Sequence, residues 1–278
     1  MGGAERRSAR EGHRLVAQRI PRGARRDPDR RVNRGDLAAL RLAPGDALFL
    51  DFDGTLAELG PDPDAIRLDT ATEAALRTIA ERLGGAVALL SGRDLRDLAR
   101  RTPDALWRAG GHGLEILAPH AAPPDPPPPP PETLLAPLRA VARHPGVRLE
   151  LKGPVAALHY RAAPEAEAAC LAAAAEAAVR LPGHIRQAGK MVVEVKPQTA
   201  HKGAALRRMA ADPPFAGRRP LMFGDDTTDE DAIAAAEALG GIGVKIGPGT
   251  TAASFRAPDP AALRAWLARE AEALAGAT

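Results

Sequence analysis

Short apolar runs that each stop abruptly at polar residues limit what this chain can fold into more than any other feature of it. They are ALFL at 47–50, AVALL at 86–90, PLMF at 220–223 and GVKI at 243–246. Runs this short suit strands buried on both faces of a parallel sheet, which read as near-continuous apolar stretches. Helical patterns stand between them. Residues 70–83 open with Thr70-x-x-Glu73, a capping-box match, carry Ala75, Leu76, Ile79 and Leu83 on one face, and close at Gly84-Gly85. Further helices are predicted to about residue 100, over 202–211, from the acidic stretch 224–239, and over 260–274. Strand, helix, strand, helix is the pattern of βαβ units. The expected class is therefore α/β, with a Rossmann-like parallel sheet.

Residues 113–199 break that rhythm. Two helices are predicted, at 132–143 and 165–180. Strands at 147–152 and 155–161 turn at Gly153-Pro154, and strands at 184–187 and 191–195 turn at Gly189. Paired strands with helices suggest a smaller α+β module inserted into the parallel domain, which then occupies 41–112 and 200–278. Within the insertion, 123–131 is proline-rich and Pro126 to Pro131 are consecutive, a stiff polyproline II excursion. Residues 1–40 hold eleven arginines and few apolar side chains. Such a segment buries too little to offset the entropy of ordering and reads as a disordered extension.

That extension also carries the basic excess of the chain, whose formal net charge is +3. With the excess local and aromatics at only 3%, composition argues against a nucleic-acid partner. No window approaches the ~20 apolar residues of a membrane span, and no apolar core follows the basic start as in a secretory signal. One cysteine, Cys170, excludes an internal disulfide. The expectation is a cytoplasmic monomer with no membrane partner.

The chemistry concentrates where the apolar runs stop. Asp51 and Asp53 follow the first run directly, in DFDGT. Two carboxylates so close repel, and they need a cation or a shared proton. In open parallel sheets, sites form outside the carboxyl ends of strands. A second cluster, GDDTTDED at 224–231, follows the run at 220–223 and holds five carboxylates in seven positions from Asp225. Capping a helix N-terminus explains some of them but not five. Two such clusters could meet around one divalent ion, and hard oxygen donors with no His or Cys beside them point to Mg²⁺. Ser91 closes the second run, where an N-cap at Ser91-x-x-Asp94 is the competing reading. Lys202 opens a helix, a place unfavourable to a cation unless an anion is near.

In that order, DxDGT, the serine, the lysine and GDDxxD resemble the haloacid dehalogenase superfamily of phosphatases. LLSGR, GGHGLE, LKGPVAALHYR, KMVVEVKP, HKG and GDDTTDED narrow the resemblance to its trehalose-6-phosphate phosphatase family, over roughly residues 46–247. The resemblance implies a superfamily core with an α+β cap that selects the leaving group. It implies Asp51 as nucleophile through an aspartyl phosphate, and Asp53 as general acid and then base. Ser91 and Lys202 would hold the phosphoryl group. Mg²⁺ would be held by Asp51, the Asp53 carbonyl and Asp225, supported by Asp226 and Asp229. The implied substrate contacts are Gly54, Arg93, His112, Lys152, His159, Arg161, Lys190 and Glu194. The substrate would be a small sugar phosphate, trehalose 6-phosphate first. Sucrose phosphate or glucosylglycerol phosphate is an alternative. A non-catalytic partner of a trehalose-phosphate synthase is an alternative of another class.

Overall fold

The structure, a computed structural model, describes residues 35–60, 62–189 and 191–276. The first stretch of chain runs β1 (Gly35–Asp36), β2 (Asp46–Leu50), α1 (Thr70–Arg82), β3 (Val87–Leu90), α2 (Leu95–Arg101), β4 (Trp107–Gly110) and β5 (Glu115–Leu117). An insertion follows, with α3 (Glu132–Val141), β6 (Arg148–Lys152), β7 (Val155–His159), α4 (Glu167–Arg180), β8 (His184–Gly189) and β9 (Val192–Pro197). The chain then returns through α5 (Lys202–Ala210), β10 (Arg219–Gly224), α6 (Glu230–Ala238), β11 (Ile242–Ile246), β12 (Phe255–Ala257) and α7 (Pro260–Gly276).

Two sheets result. The larger has the order β1-β12-β11-β10-β2-β3-β4-β5, and every pair in it is parallel except β4 with β5. Its central strands are buried, β2 and β3 along their length and β10 from Pro220 onward. Because successive side chains alternate, Phe223 lies beside Leu50 on one face and Phe49 beside Met222 on the other. Trp266 of α7 packs on Phe223 at 5.1 Å between ring centroids, and Phe215, just after α5, packs on Phe49 at the same distance. Both faces are thus covered, as continuous apolar strands require. The smaller sheet, β6-β7-β9-β8, is antiparallel throughout. Ala156, Leu158, Val193 and Val195 point from one face of it into a second core with Leu134, Leu138, Cys170 and Ala174 of α3 and α4.

Several local expectations change. The capping residue of α1 is Asp69, whose carboxylate accepts from the Thr72 amide, so Thr70 is inside the helix and no capping box forms. Asp94 caps α2, not Ser91. Residues 115–117, read as part of the insertion, extend the large sheet, and the inserted helices and strands span 132–197. Residues 35–40, read as part of the extension, belong to the core: β1 pairs with β12, and Leu37 and Leu40 are buried. Strands of two and three residues leave too little periodicity to read, which is why both edges were invisible. The rest of the predicted extension, residues 1–34, lies outside the described residues. Among the described residues, no helix is long and apolar enough to cross a membrane.

Candidate active site

The chain leaves β2 for β3 on one side and comes back as β10 on the other. Between β2 and β10 the strand order reverses, which is where open α/β sheets form crevices. The Asp51 amide donates to the Phe223 carbonyl at 2.9 Å, so the ends of the two strands are stitched together. Asp51 and Asp225 therefore emerge side by side, although they are far apart in sequence.

Lys202 is buried between carboxylates. Its Nζ donates to Asp51 Oδ1 and to Asp229 Oδ1, each at 2.6 Å. Asp229 is fully buried, and its Oδ2 accepts from the amides of Asp225 and Asp226 at 3.1 and 3.0 Å. Thr55 Oγ1 lies 3.0 Å from Asp51 Oδ2 and 3.2 Å from Asp225 Oδ1, bridging the two clusters. Lys245 Nζ donates to the Asp225 carbonyl from β11. Gly54 has φ +80°, and a Cβ there would lie 2.3 Å from Asp225 Oδ2, so only glycine fits.

The electrostatics are unbalanced. Asp51, Asp225 and Asp229 bring ligand atoms within 4.8 Å of one another, against one Lys202 ammonium. Burial, with Asp229 and Asp225 adding to it and Lys202 opposing, holds the Asp51 carboxyl well above the usual range. Burial, then Asp229 and Asp226, pushes Asp225 up to about 6. Burial disfavours charge on Lys202, but Asp229 and Asp51 outweigh it and keep the ammonium above its ordinary value. The uncompensated negative charge and the all-oxygen donor set fit a hard divalent cation.

Other predicted residues are placed around this centre. Ser91 is buried at the end of β3, where its Oγ accepts from the Arg93 amide at 3.1 Å. The Asp53 carboxylate is not one of that acidic group and accepts two bonds from Arg93, at 2.7 Å to Oδ2 and 2.6 Å to Oδ1. Asp226 is exposed and caps the turn at 227–229, outside the acidic group.

The insertion turns a polar face toward the core. Pairing registers put Glu150 and Lys152 of β6, Ala157 and His159 of β7, and Glu194 and Lys196 of β9 on the face opposite the buried one. Glu194 Oε2 lies 2.9 Å from His112 Nε2, joining the insertion to the core, though the imidazole is not aligned for a hydrogen bond. Burial pushes His112 below its ordinary pKa, with Glu194 opposing. Burial also disfavours charge on Glu194, but His112, Lys152 and Lys196 outweigh it and hold the carboxyl at about 2. His159 Nε2 lies 2.7 Å from Glu150 Oε2, and this bond, against the cost of burial, holds Glu150 at about 2.

Arg161 is exposed beyond the end of β7. Lys190 lies outside the described residues. Glu150, Lys196, Thr55 and Lys245 were not anticipated. Alternation would have found Glu150, since it shares its strand face with Lys152 and His159. Thr55 stood within the DFDGT motif itself.

Comparison with known proteins agrees with this architecture. The trehalose-phosphatase family model matches residues 49–261. Trehalose-6-phosphate phosphatase of Escherichia coli K12 is 38% identical over 225 residues, covering 80% of this chain and 85% of that protein. A probable trehalose-phosphate phosphatase of Sinorhizobium fredii is 40% identical over 224 residues, covering 78% and 83%. In fold, the C-terminal domain of Candida albicans trehalose-6-phosphate phosphatase superposes with a TM-score of 0.68 at 21% identity, over 82% of this chain and 93% of that domain. A sugar phosphatase of haloacid dehalogenase subclass IIB superposes at 0.55 and 15% identity, over 82% and 99%. A family match over most of the described chain, with relatives near 40% identity along most of their own length, establishes that this chain is an enzyme of the trehalose-phosphatase family.

Proposed function

We propose that the enzyme hydrolyses trehalose 6-phosphate to trehalose and phosphate, with Mg²⁺ and through an aspartyl phosphate on Asp51. The observation that carries the reading is the pairing of Asp51 with Lys202 beneath a sheet face bearing Glu150, Lys152, His159 and Glu194. A sugar offers only hydroxyls, and charged side chains are strong partners for them.

Asp51 attacks phosphorus, and the bond to the sugar oxygen breaks. Asp53 gives a proton to that oxygen, then takes one from the water that cleaves the aspartyl phosphate. Ser91 and the Lys202 ammonium hold the phosphoryl oxygens, and Lys202 also orients Asp51. Thr55 fixes the remaining oxygen of Asp51. Asp51, Asp225 and the Asp53 carbonyl would hold Mg²⁺, while both oxygens of Asp229 are committed to Lys202 and to backbone amides. Bound there, the cation neutralises the phosphoryl charge and lowers the repulsion met by the nucleophile. His112, Glu194 and Lys152 would contact the sugar.

The test is phosphate release from a panel of sugar phosphates, with Mg²⁺ and with chelator, by the wild type and by Asp51→Asn. Preference for trehalose 6-phosphate is expected, with loss in chelator and a fall of at least about a thousandfold in the variant. Preference for sucrose phosphate would retain the mechanism and refute the substrate. Full activity in chelator would refute the metal.

A further inference from the structure

Lys196 is only 1% exposed, yet among the described residues no hydrogen bond or ion pair reaches its Nζ. The other lysines near the site are served. Lys202 has two carboxylates at 2.6 Å, Lys245 has the Asp225 carbonyl, and Lys152 lies 3.7 Å from Glu150. Burial pushes the Lys196 ammonium below its ordinary pKa, with Glu194 and Asp231 opposing and Lys202 adding to the shift. A buried charge without a partner is costly. Stability alone therefore gives no reason for a lysine at this position.

The fold fixes where this ammonium stands. Lys196 shares the polar face of β9 with Glu194 and follows it by two residues, about 7 Å along the strand. The other face of the sheet is covered by α3 and α4, and the core residues Lys202 and Asp231 are near enough to act on the Lys196 charge. Glu194 marks one side of it. The His112 ring that Glu194 meets lies over Gly92, where a Cβ would come 2.8 Å from His112 Cε1, and the His112 amide donates to the Ser91 carbonyl at 2.9 Å. On the other side the chain reaches Lys202 within six residues. Lys196 thus stands between Ser91 and Lys202, on the insertion side of the cleft. Lys202 is already occupied by Asp51 and Asp229. A second ammonium beside it, with no carboxylate of its own, matches a dianion with several acceptor oxygens. A sugar hydroxyl would leave its charge uncompensated. We propose that Lys196 is a phosphoryl-binding residue, which donates from the insertion to the phosphoryl oxygens of the substrate and of released phosphate while Ser91 and Lys202 hold them from the core. The inference rests on the phosphoryl site given under Proposed function. It gives the insertion a hold on the phosphate as well as on the sugar.

The two products separate this role from a sugar contact and from a structural one. Inorganic phosphate and trehalose are titrated separately, with Mg²⁺ present, into the wild type, Lys196→Met and Ser91→Ala, and binding is read by calorimetry. Lys196→Met should weaken phosphate about 10- to 100-fold, the span of one hydrogen bond between charged groups, and leave trehalose within about twofold. In turnover, KM should rise for trehalose 6-phosphate and for p-nitrophenyl phosphate alike, since both carry the phosphoryl group. Lys196→Gln repeats the titrations if Lys196→Met does not fold. Weaker trehalose with unchanged phosphate would make Lys196 a sugar contact. Equal losses on both ligands, with unfolding at lower urea, would make it structural. No loss on either would remove it from the site. Each of these three results overturns the inference. Ser91→Ala keeps the two failures apart. If it weakens phosphate while Lys196→Met does not, only the role of Lys196 is wrong. If neither variant weakens phosphate, the phosphoryl site itself is misplaced. If the wild type binds phosphate and no trehalose, the proposed substrate fails, and the phosphate titration still decides on Lys196.

Discussion

Gly54 is the position where one missing side chain matters most. It lies between the two acidic strand ends, with positive φ and no room for a Cβ beside Asp225. Gly54→Ala should therefore cost about 1–2 kcal/mol for the backbone conformation and also displace Asp225. The expected outcome is a loss of turnover of more than about tenfold, steeper than the fall in stability explains, read by kinetics beside urea unfolding. Unchanged turnover would show that Asp225 has slack. At this scale the sequence was most legible where chemistry is local. Asp51, Asp53 and Asp225 were recognisable because each directly follows a buried strand. The pairings were not legible. Nothing in the neighbourhood of Asp53 announces Arg93, forty positions on, and nothing near Lys245 announces the Asp225 carbonyl.

Among the elements, the smaller sheet divides its labour by face. One face is apolar and covered by α3 and α4, and the other carries the ionic groups that look toward the core. Glu194→Ala should lower kcat/KM for trehalose 6-phosphate by about a hundredfold or more, since a buried charged partner of the sugar would be lost. Turnover of p-nitrophenyl phosphate, which has no sugar, should change only a few-fold. Equal losses would remove Glu194 from the sugar site. Elements with a full period were read correctly to within a few residues, α1 and β9 among them. Four short strands, β1, β4, β5 and β12, were missed, because strands that short are defined more by the partner they pair with than by their own pattern.

At the level of the whole molecule, the His112–Glu194 contact makes the union of the two sheets sensitive to acid. Glu194 has a folded pKa of about 2, below its ordinary value. Its contribution is present above pH ~4.5 and is lost as pH falls toward 2. His112 adds in the same direction, because a buried imidazole held neutral must be charged as pH drops below ~6.5. The stability gap between wild type and Glu194→Gln should be widest near neutral pH, on the order of 1–3 kcal/mol, should narrow below pH ~4.5 and should close as pH approaches 2. Chemical unfolding across that range measures it, and a gap independent of pH would contradict the assignment.

Two leads of unlike character join the insertion to the core. One, residues 118–131, is the proline-rich stretch. Arg96 reaches its carbonyls at Pro124 and Asp125, and Pro127 sits against Gly153 in the turn between β6 and β7. The other, residues 198–201, is only four residues long and ends at Lys202. A body held at two points, one by a strut and one by a short tether, keeps a single easy freedom, rotation about the line between them. Sliding and twisting are stiff. Lys202 is the first helical residue beyond the tether, so a rotation of the insertion is expected to carry its ammonium along.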